Sequence, residues 1–212
     1  MSETVAVVDY GMGNLHSAKK ALEKVATDQR IRITREPDEV VQADRVVFPG
    51  VGAIRDCMAA LHDTGLGAAV LDAARAGRPL LGICVGMQAL MSRSEENKGI
   101  DCLGLFDGEV LRFPEGTDDN GERLKVPHMG WNGVSQSDHV LWQDIPDGAR
   151  FYFVHGYYVA GLPHAEVAGR CDYGVSFAAA AQRANVFAVQ FHPEKSAPHG
   201  LTLLDNFLRW TP

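Results

Sequence analysis

Apolar positions in the first half of the chain come in two alternating textures. Short unbroken runs, Val5-Ala6-Val7-Val8, Val46-Val47-Phe48 and Leu80-Leu81-Gly82-Ile83, have the pattern of parallel strands buried on both faces. Between them lie longer stretches with apolar residues three and four apart. Asn14 can cap a helix whose stripe is Leu15, Ala18, Leu22 and Val25. Further helices are predicted from about Ile54 to Leu61, from Leu66 to Ala76, where Gly77 stops the pattern, and from Cys84 through Met91. Ile31 and Ile33 alternate with Arg32 and Thr34, as in a half-buried strand. Strands alternating with helices predict a parallel, doubly wound sheet with right-handed crossovers.

The second half changes character. Val110 to Phe113, Phe151 to Val159, Gly174 to Ala181 and Val186 to Phe191 read as strands with short connections, and a helix returns only at Leu201 to Trp210. The expected architecture is one α/β domain over residues 1–212, with a mostly parallel sheet extended by antiparallel or mixed strands. The acidic, Gly-containing segment from Pro114 to Gly121 is expected to be a solvated loop within that domain.

Charge and composition narrow the function classes. Lys plus Arg number 20 against 27 Asp plus Glu, a net charge of −7, which argues against a general binder of nucleic-acid phosphates or anionic membranes. The longest uncharged stretch, Pro79 to Ser92, is fourteen residues, short of the ~20 that a membrane helix needs. The opening Met-Ser-Glu-Thr has neither a basic region nor a cleavage site, so a soluble, cytoplasmic protein is expected. Cys57, Cys84, Cys102 and Cys171 form no CxxC pair, which suits a reducing compartment where each is by default a small buried hydrophobe.

Ligands in α/β sheets bind beyond the carboxyl ends of the strands, so the strand-to-helix turns come first. Asp9 to Asn14 and Pro49 to Gly52 both contain GxG, which after a strand can admit a dinucleotide pyrophosphate. Even Glu36 stands roughly where a ribose-binding acid would. The third glycine of that fingerprint is missing, however: His16 and Arg55 occupy its place, and tight turning accounts for both segments. The turn Gly82-Ile83-Cys84-Val85-Gly86 has the form of a nucleophile elbow, in which small residues flank a reactive side chain on a crowded corner. A helix N-terminus favours a thiolate, and the Val85 N–H would point where an oxyanion forms, with a second donor available from Gly50-Val51-Gly52. A buried cysteine in a glycine-rich packing corner explains the same residues.

A cysteine nucleophile needs a base. His16, His62, His139, His164 and His199 lie in polar helix or loop surroundings, whereas His192 ends an apolar run and is followed by Pro193-Glu194. In an extended segment His192 and Glu194 share a face, so the carboxylate can orient the imidazole as the third member of a triad. The same His-x-Glu could serve a metal, but two ligands without a further cluster do not make a site.

Together the elbow and the His192-Pro193-Glu194 segment resemble the signature pair of the class I (triad) glutamine amidotransferases. Within that family the chain is similar to the glutaminase subunits of imidazole glycerol phosphate synthases. That likeness rests on DYGMGNLHS (9–17), PGVGA (49–53), LGICVGMQ (81–88), VPHMGWN (126–132), FYFVH (151–155) and QFHPEKS (190–196), spread over essentially the whole chain. The resemblance implies Cys84 as nucleophile, His192 as proton shuttle and Glu194 as its orienting carboxylate. It also implies N–H groups of Gly52 and Val85 as the oxyanion hole, and Gln88 as a seat for glutamine, with no cofactor or metal. Ammonia would pass to a separate cyclase subunit of TIM-barrel fold, for which the chain has no region left over. Lys195, Trp131 and the Tyr10–Asn14 loop, Asn14 included, are candidates for the docking face. Two departures stand out: Gly156 follows the histidine of FYFVH where a hydroxyl residue is expected, and Val85 replaces leucine after the cysteine. His128 and His155 fall in family motifs with packing or docking roles rather than catalytic ones. The other readings are the glutaminase of anthranilate synthase, against which DYGMGN and VPHMGWN speak, a stand-alone cysteine hydrolase or thioesterase, and a non-catalytic binding module.

Overall fold

The computed structural model describes residues 2–116 and 123–212, so positions 117–121 of the expected loop lie outside the described residues. In chain order the first half runs β1 (Thr4–Val8), α1 (Leu15–Val25), β2 (Arg30–Thr34), α2 (Pro37–Gln42), β3 (Arg45–Gly50), α3 (Ile54–Thr64), α4 (Leu66–Arg75), β4 (Leu80–Cys84) and α5 (Val85–Ala89). Then come β5 (Arg93–Ser94), β6 (Ile100–Asp101), β7 (Glu109–Arg112), β8 (His128–Gly133), β9 (Ser135–Gln136), β10 (Arg150–His155) and β11 (Tyr157–Ala160). The chain closes with β12 (Val167–Asp172), β13 (Ser176–Arg183), β14 (Val186–Val189) and α6 (His199–Arg209).

The main sheet has the order β2-β1-β3-β4-β14-β13-β11-β7-β5-β6, with β12 also on β13. Strands β2, β1, β3, β4 and β14 are mutually parallel; from β13 to β7 the pairing is antiparallel. The chain leaves β1 toward β2 but returns past it to β3 and on to β4. Right-handed crossovers therefore put α1 on one face and α2, α3 and α4 on the other. The packing agrees: α1 lies against α6, while α2 and α3 lie against α4. Val5, Val7, Val46, Val47, Phe48, Leu80 and Leu81 are fully buried, as unbroken apolar strands between two helical layers must be. Among the described residues no helix is long and apolar enough to cross a membrane.

Several elements depart from the pattern. The strand expected over 151–159 breaks at Gly156: β10 pairs with β8 in a separate two-stranded ribbon, and β11 joins the main sheet. Strand β12 was not predicted, because Val167-Ala168-Gly169-Arg170 lacks both alternation and β-branched enrichment. There a Cβ on Gly169 would stand 2.8 Å from Val134 Cγ1, so packing demands a glycine where propensity disfavours one. Helix α5 stops at Ala89 rather than at Met91. Asn14 precedes α1, but its φ of −85° and ψ of 56° lie outside the extended region and its side chain makes no capping bond. Cys57 and Cys171 are buried as expected, whereas Cys102 is half-exposed.

Candidate active site

Three adjacent strand ends build the site. Strand β4 lies between β3 and β14, with Gly50 opposite Cys84 and Val189 opposite Ile83. The chain that leaves each strand, Val51-Gly52, Cys84-Val85 and Gln190 to His192, therefore emerges at one edge of the sheet. This edge adjoins the point where the winding reverses, the usual ligand position in such folds.

Cys84 sits at φ 55° and ψ −111°, a strained conformation for a residue with a side chain. Its surroundings show why the flanking positions are glycines. A Cβ on Gly86 would fall 1.9 Å from the carbonyl oxygen of Phe48, and one on Gly82 would fall 3.1 Å from both Ala188 Cβ and Leu90 Cδ1. The first of these contacts is with backbone and has no rotamer escape. Gly86→Ala is accordingly expected to lower stability by about 1–3 kcal/mol and kcat/KM for the reaction below by about 100-fold or more, since the elbow must move for the added methyl group to fit. Thermal melting and steady-state rates check both.

His192 follows β14 by three residues and is strapped in place by β10. Its N–H donates to the Tyr152 carbonyl at 2.9 Å, the Ser196 hydroxyl donates to its carbonyl at 2.6 Å, and the Tyr152 N–H donates to that hydroxyl at 2.9 Å. Nδ1 of His192 lies 2.9 Å from Oε1 of Glu194, with both side chains almost fully buried. The two meet as expected, but by another path. Pro193–Lys195 is a 3₁₀ turn, which swings Glu194 back under the ring, rather than an extended segment. Nε2 of His192 is buried with no hydrogen-bond partner among the described residues. Burial alone would lower the proton affinity of the ring. Cys84 and Glu194 outweigh it and raise the imidazole to about 9.

A cavity of about 430 Å³ opens over these groups. Cys84, Val85, Gly52, Gln88, His192 and Lys195 all line it, together with Glu96, His155, Gly156 and Tyr157. Gln88 donates through Nε2 to the Tyr157 carbonyl at 3.0 Å and to Oε1 of Gln190 at 2.9 Å; Gln190 Nε2 lies 3.7 Å from the Cys84 sulfur. Glu96 accepts from the Ile54 N–H at 3.1 Å, so its carboxylate is tied to the start of α3. Sequence reasoning passed over Gln190, Glu96 and Ser196. Gln190 did carry a signal, as one polar residue inside Val186-Phe187-Ala188-Val189-Gln190-Phe191, where a buried amide must find partners. Glu96 carried none, since the link across 42 residues to Ile54 exists only in the fold. Gly156 leaves room: a Cβ there would have Val126 Cγ1 at 3.8 Å as its nearest neighbour, so the departure widens the cavity wall without being required by the backbone.

The three docking candidates fall in two places. Trp131, 45% exposed, stands 6.1 Å edge-on from Tyr152, and the Lys195 ammonium lies 5.8 Å above that same tyrosine ring. Asn14 is not part of this group; it lines a small crevice with Pro49, Ile83, His192 and Glu194.

A family model described as glutamine amidotransferase class-I matches residues 6–210. The chain is 60% identical to the imidazole glycerol phosphate synthase subunit HisH of Pseudomonas putida, over 98% of each protein. It is 58% identical to the subunit HisH of Methylococcus capsulatus, over 99% of this chain and 97% of that one. Among solved structures, PurLQS from Thermotoga maritima matches with a TM-score of 0.73 at 19% identity, covering 99% of both chains. A structure described as a glutamine amidotransferase matches with a TM-score of 0.72 at 18% identity, covering 97% of both. At those identities the solved structures speak to the fold alone.

Proposed function

The chain belongs to the class I glutamine amidotransferase family, and from that premise we propose that it hydrolyses glutamine to glutamate and ammonia as the glutaminase subunit of an imidazole glycerol phosphate synthase. The observation that carries this reading is the convergence on one cavity of a strained Cys84 and the buried His192–Glu194 pair. In the proposed reaction the Cys84 sulfur attacks the side-chain amide carbon of glutamine. The carbonyl oxygen becomes an oxyanion, received by the N–H groups of Gly52 and Val85; Val85 opens α5, where no preceding turn claims its N–H. As the carbon–nitrogen bond breaks, the His192 imidazolium gives its proton to the leaving nitrogen, and ammonia departs from a glutamyl thioester. Water then attacks the thioester and gives a proton to His192, and glutamate leaves as the sulfur regains its electron pair. The Gln88 amide and the Glu96 carboxylate face the same cavity. A carboxylate there suits the α-ammonium group of an amino acid.

Ammonia is useful only if it reaches an acceptor. We assign that role to a cyclase subunit of TIM-barrel fold, docked on the β8–β10 ribbon, where Met129 is 62% and Trp131 45% exposed. Large apolar side chains left on the surface beside a reactive cavity mark a binding face. Trp131→Ala is expected to weaken the complex at least tenfold without changing the melting temperature of the isolated subunit. Lys195→Ala should reduce either complex affinity or the partner-stimulated rate of glutamate release; if it changes neither, Lys195 has no part in docking. The four cysteines are unpaired, in keeping with a cytoplasmic setting.

The test of the reading as a whole is glutamate release from glutamine, with and without the cyclase subunit and its ligand. Turnover of simple esters or thioesters without glutamate release would instead favour a stand-alone cysteine hydrolase.

A further inference from the structure

Two further histidines lie at the site, one of them, His155, in the cavity wall, and the reaction above uses neither. His128 and His155 face each other across the β8–β10 ribbon and are 3% and 6% exposed. Nδ1 of His128 lies 3.0 Å from Nε2 of His155, and Nδ1 of His155 lies 2.7 Å from the Tyr157 carbonyl oxygen.

A carbonyl only accepts, so Nδ1 of His155 carries the proton. Burial pushes His155 down to about 3, aided by His128 and His192 and opposed by the bond to Tyr157; burial likewise holds His128 at about 4. Both rings are therefore neutral at pH 7, with one N–H each. Nε2 of His155 must accept, so Nδ1 of His128 donates. Nε2 of His128 is left as an acceptor, 3.4 Å from Asn132 Nδ2. The Asn132 amide is itself oriented, because its Oδ1 accepts from the Gly133 N–H at 2.8 Å and its Nδ2 donates to the Asp172 carbonyl at 2.9 Å.

At the inner end, the Tyr157 carbonyl has a second donor, Nε2 of Gln88, which also reaches Gln190. If the Gln88 amide were turned over, its oxygen would face two other oxygens. The Tyr157 carbonyl and Gln190 thus decide which way the amide points, and Oε1 is the atom left to receive an N–H from a ligand. We propose that His155 and His128 are positioning residues for glutamine, a hydrogen-bonded chain running from Asn132 on the exposed ribbon to the Tyr157 carbonyl that fixes the Gln88 amide in the cavity wall. This inference rests on reading the cavity as a glutamine site. It gives the ribbon that carries Met129 and Trp131 a polar connection to the substrate pocket and, through Gln190, to Cys84.

Kinetics in the complex with the cyclase subunit test it. His155→Leu removes the donor to Tyr157 and is expected to raise KM for glutamine about tenfold, with kcat changed less than about threefold. His155→Asn puts an amide N–H in place of Nδ1–H and should bring KM back to within about threefold of wild type. His128→Phe keeps the ring stacked on Phe153 and Tyr173 and should raise KM about three- to fivefold, again relieved by asparagine. Purely structural histidines would not be rescued this way, since asparagine packs worse than leucine or phenylalanine in this aromatic cluster. Equal KM values for the leucine and asparagine variants, or an unchanged KM for His155→Leu, would overturn the proposal. Should a variant not fold, the wild-type protein labelled with ¹⁵N-histidine decides: both rings are expected as the neutral Nδ1–H tautomer, and an Nε2–H ring at either position overturns the chain. A wild-type complex that releases no glutamate would overturn the glutaminase reading, which the tautomer measurement does not depend on.

Discussion

Replacing Cys84 by alanine is expected to reduce glutamate release by a factor on the order of 10⁴–10⁶ in kcat, with glutamine binding and melting temperature close to wild type. The size follows from the role. No other nucleophile can form the thioester, and what remains is the catalysis available from the oxyanion donors and from holding the substrate. The stability forecast follows from geometry. Alanine keeps the φ of 55° and loses only the sulfur, which lies 3.7 Å from the Gln190 amide. Loss of activity together with loss of fold would mean that Cys84 is a packing residue in a glycine-rich corner. Retention of activity would remove the nucleophile from the account altogether.

Glu194→Gln is expected to have the next largest effect, a loss of about 10²–10⁴ in kcat. The second carboxylate oxygen of Glu194 is buried without a partner among the described residues, so its charge depends on His192. A neutral amide would leave His192 without its buried counter-charge. If it presented its NH₂ group to the ring, it would also enforce the wrong tautomer. Cys84 alone then opposes burial, and the imidazole falls from about 9 toward its usual range. Because the imidazolium supplies the proton that ammonia leaves with, wild-type kcat/KM should decline as pH rises through about 9, and this limb should move to lower pH in the variant. Stability follows the same sign. A proton affinity raised on folding stabilises the protein fully below pH ~6.5 and is lost as pH rises through about 9. The wild type should therefore lose melting temperature across that window more steeply than Glu194→Gln. An alkaline limb that does not move would mean that Glu194 does not act on His192.

The parallel half of the fold was legible because its physics is local. Val46-Val47-Phe48 and Leu80 to Ile83 are apolar without interruption, and only a strand covered on both faces needs that. The β8–β10 ribbon was not legible as a strand pair. His128-Met129-Gly130-Trp131-Asn132-Gly133 is rich in residues that strands avoid, and it turns Met129 and Trp131 outward, the reverse of a core-facing pattern. Gly156 hid the end of β10 in the same way, by letting one apolar run serve two sheets.

Within the site, the elbow could be read from spacing alone, because the 1.9 Å approach of Phe48 to position 86 leaves no residue but glycine there. The meeting of His192 and Glu194 was expected from an extended segment and arises from a 3₁₀ turn, so the pairing was legible and its geometry was not. Glu96, and the chain from Asn132 through both histidines to Tyr157, are long-range pairings. No periodicity encodes them.

The other three cysteines supply a built-in control for Cys84 as the nucleophile. Burial pushes Cys57 up to about 11 and both Cys102 and Cys171 up to about 12, which holds them as unreactive thiols at neutral pH. The direct measurement is peptide mapping by mass spectrometry after exposure to a glutamine analogue whose side-chain amide is replaced by an electrophilic carbon. One adduct per chain is expected, on Cys84, slowed by excess glutamine and blocked in Cys84→Ala. An adduct on Cys57, Cys102 or Cys171 in its place, or labelling that glutamine does not slow, would contradict it.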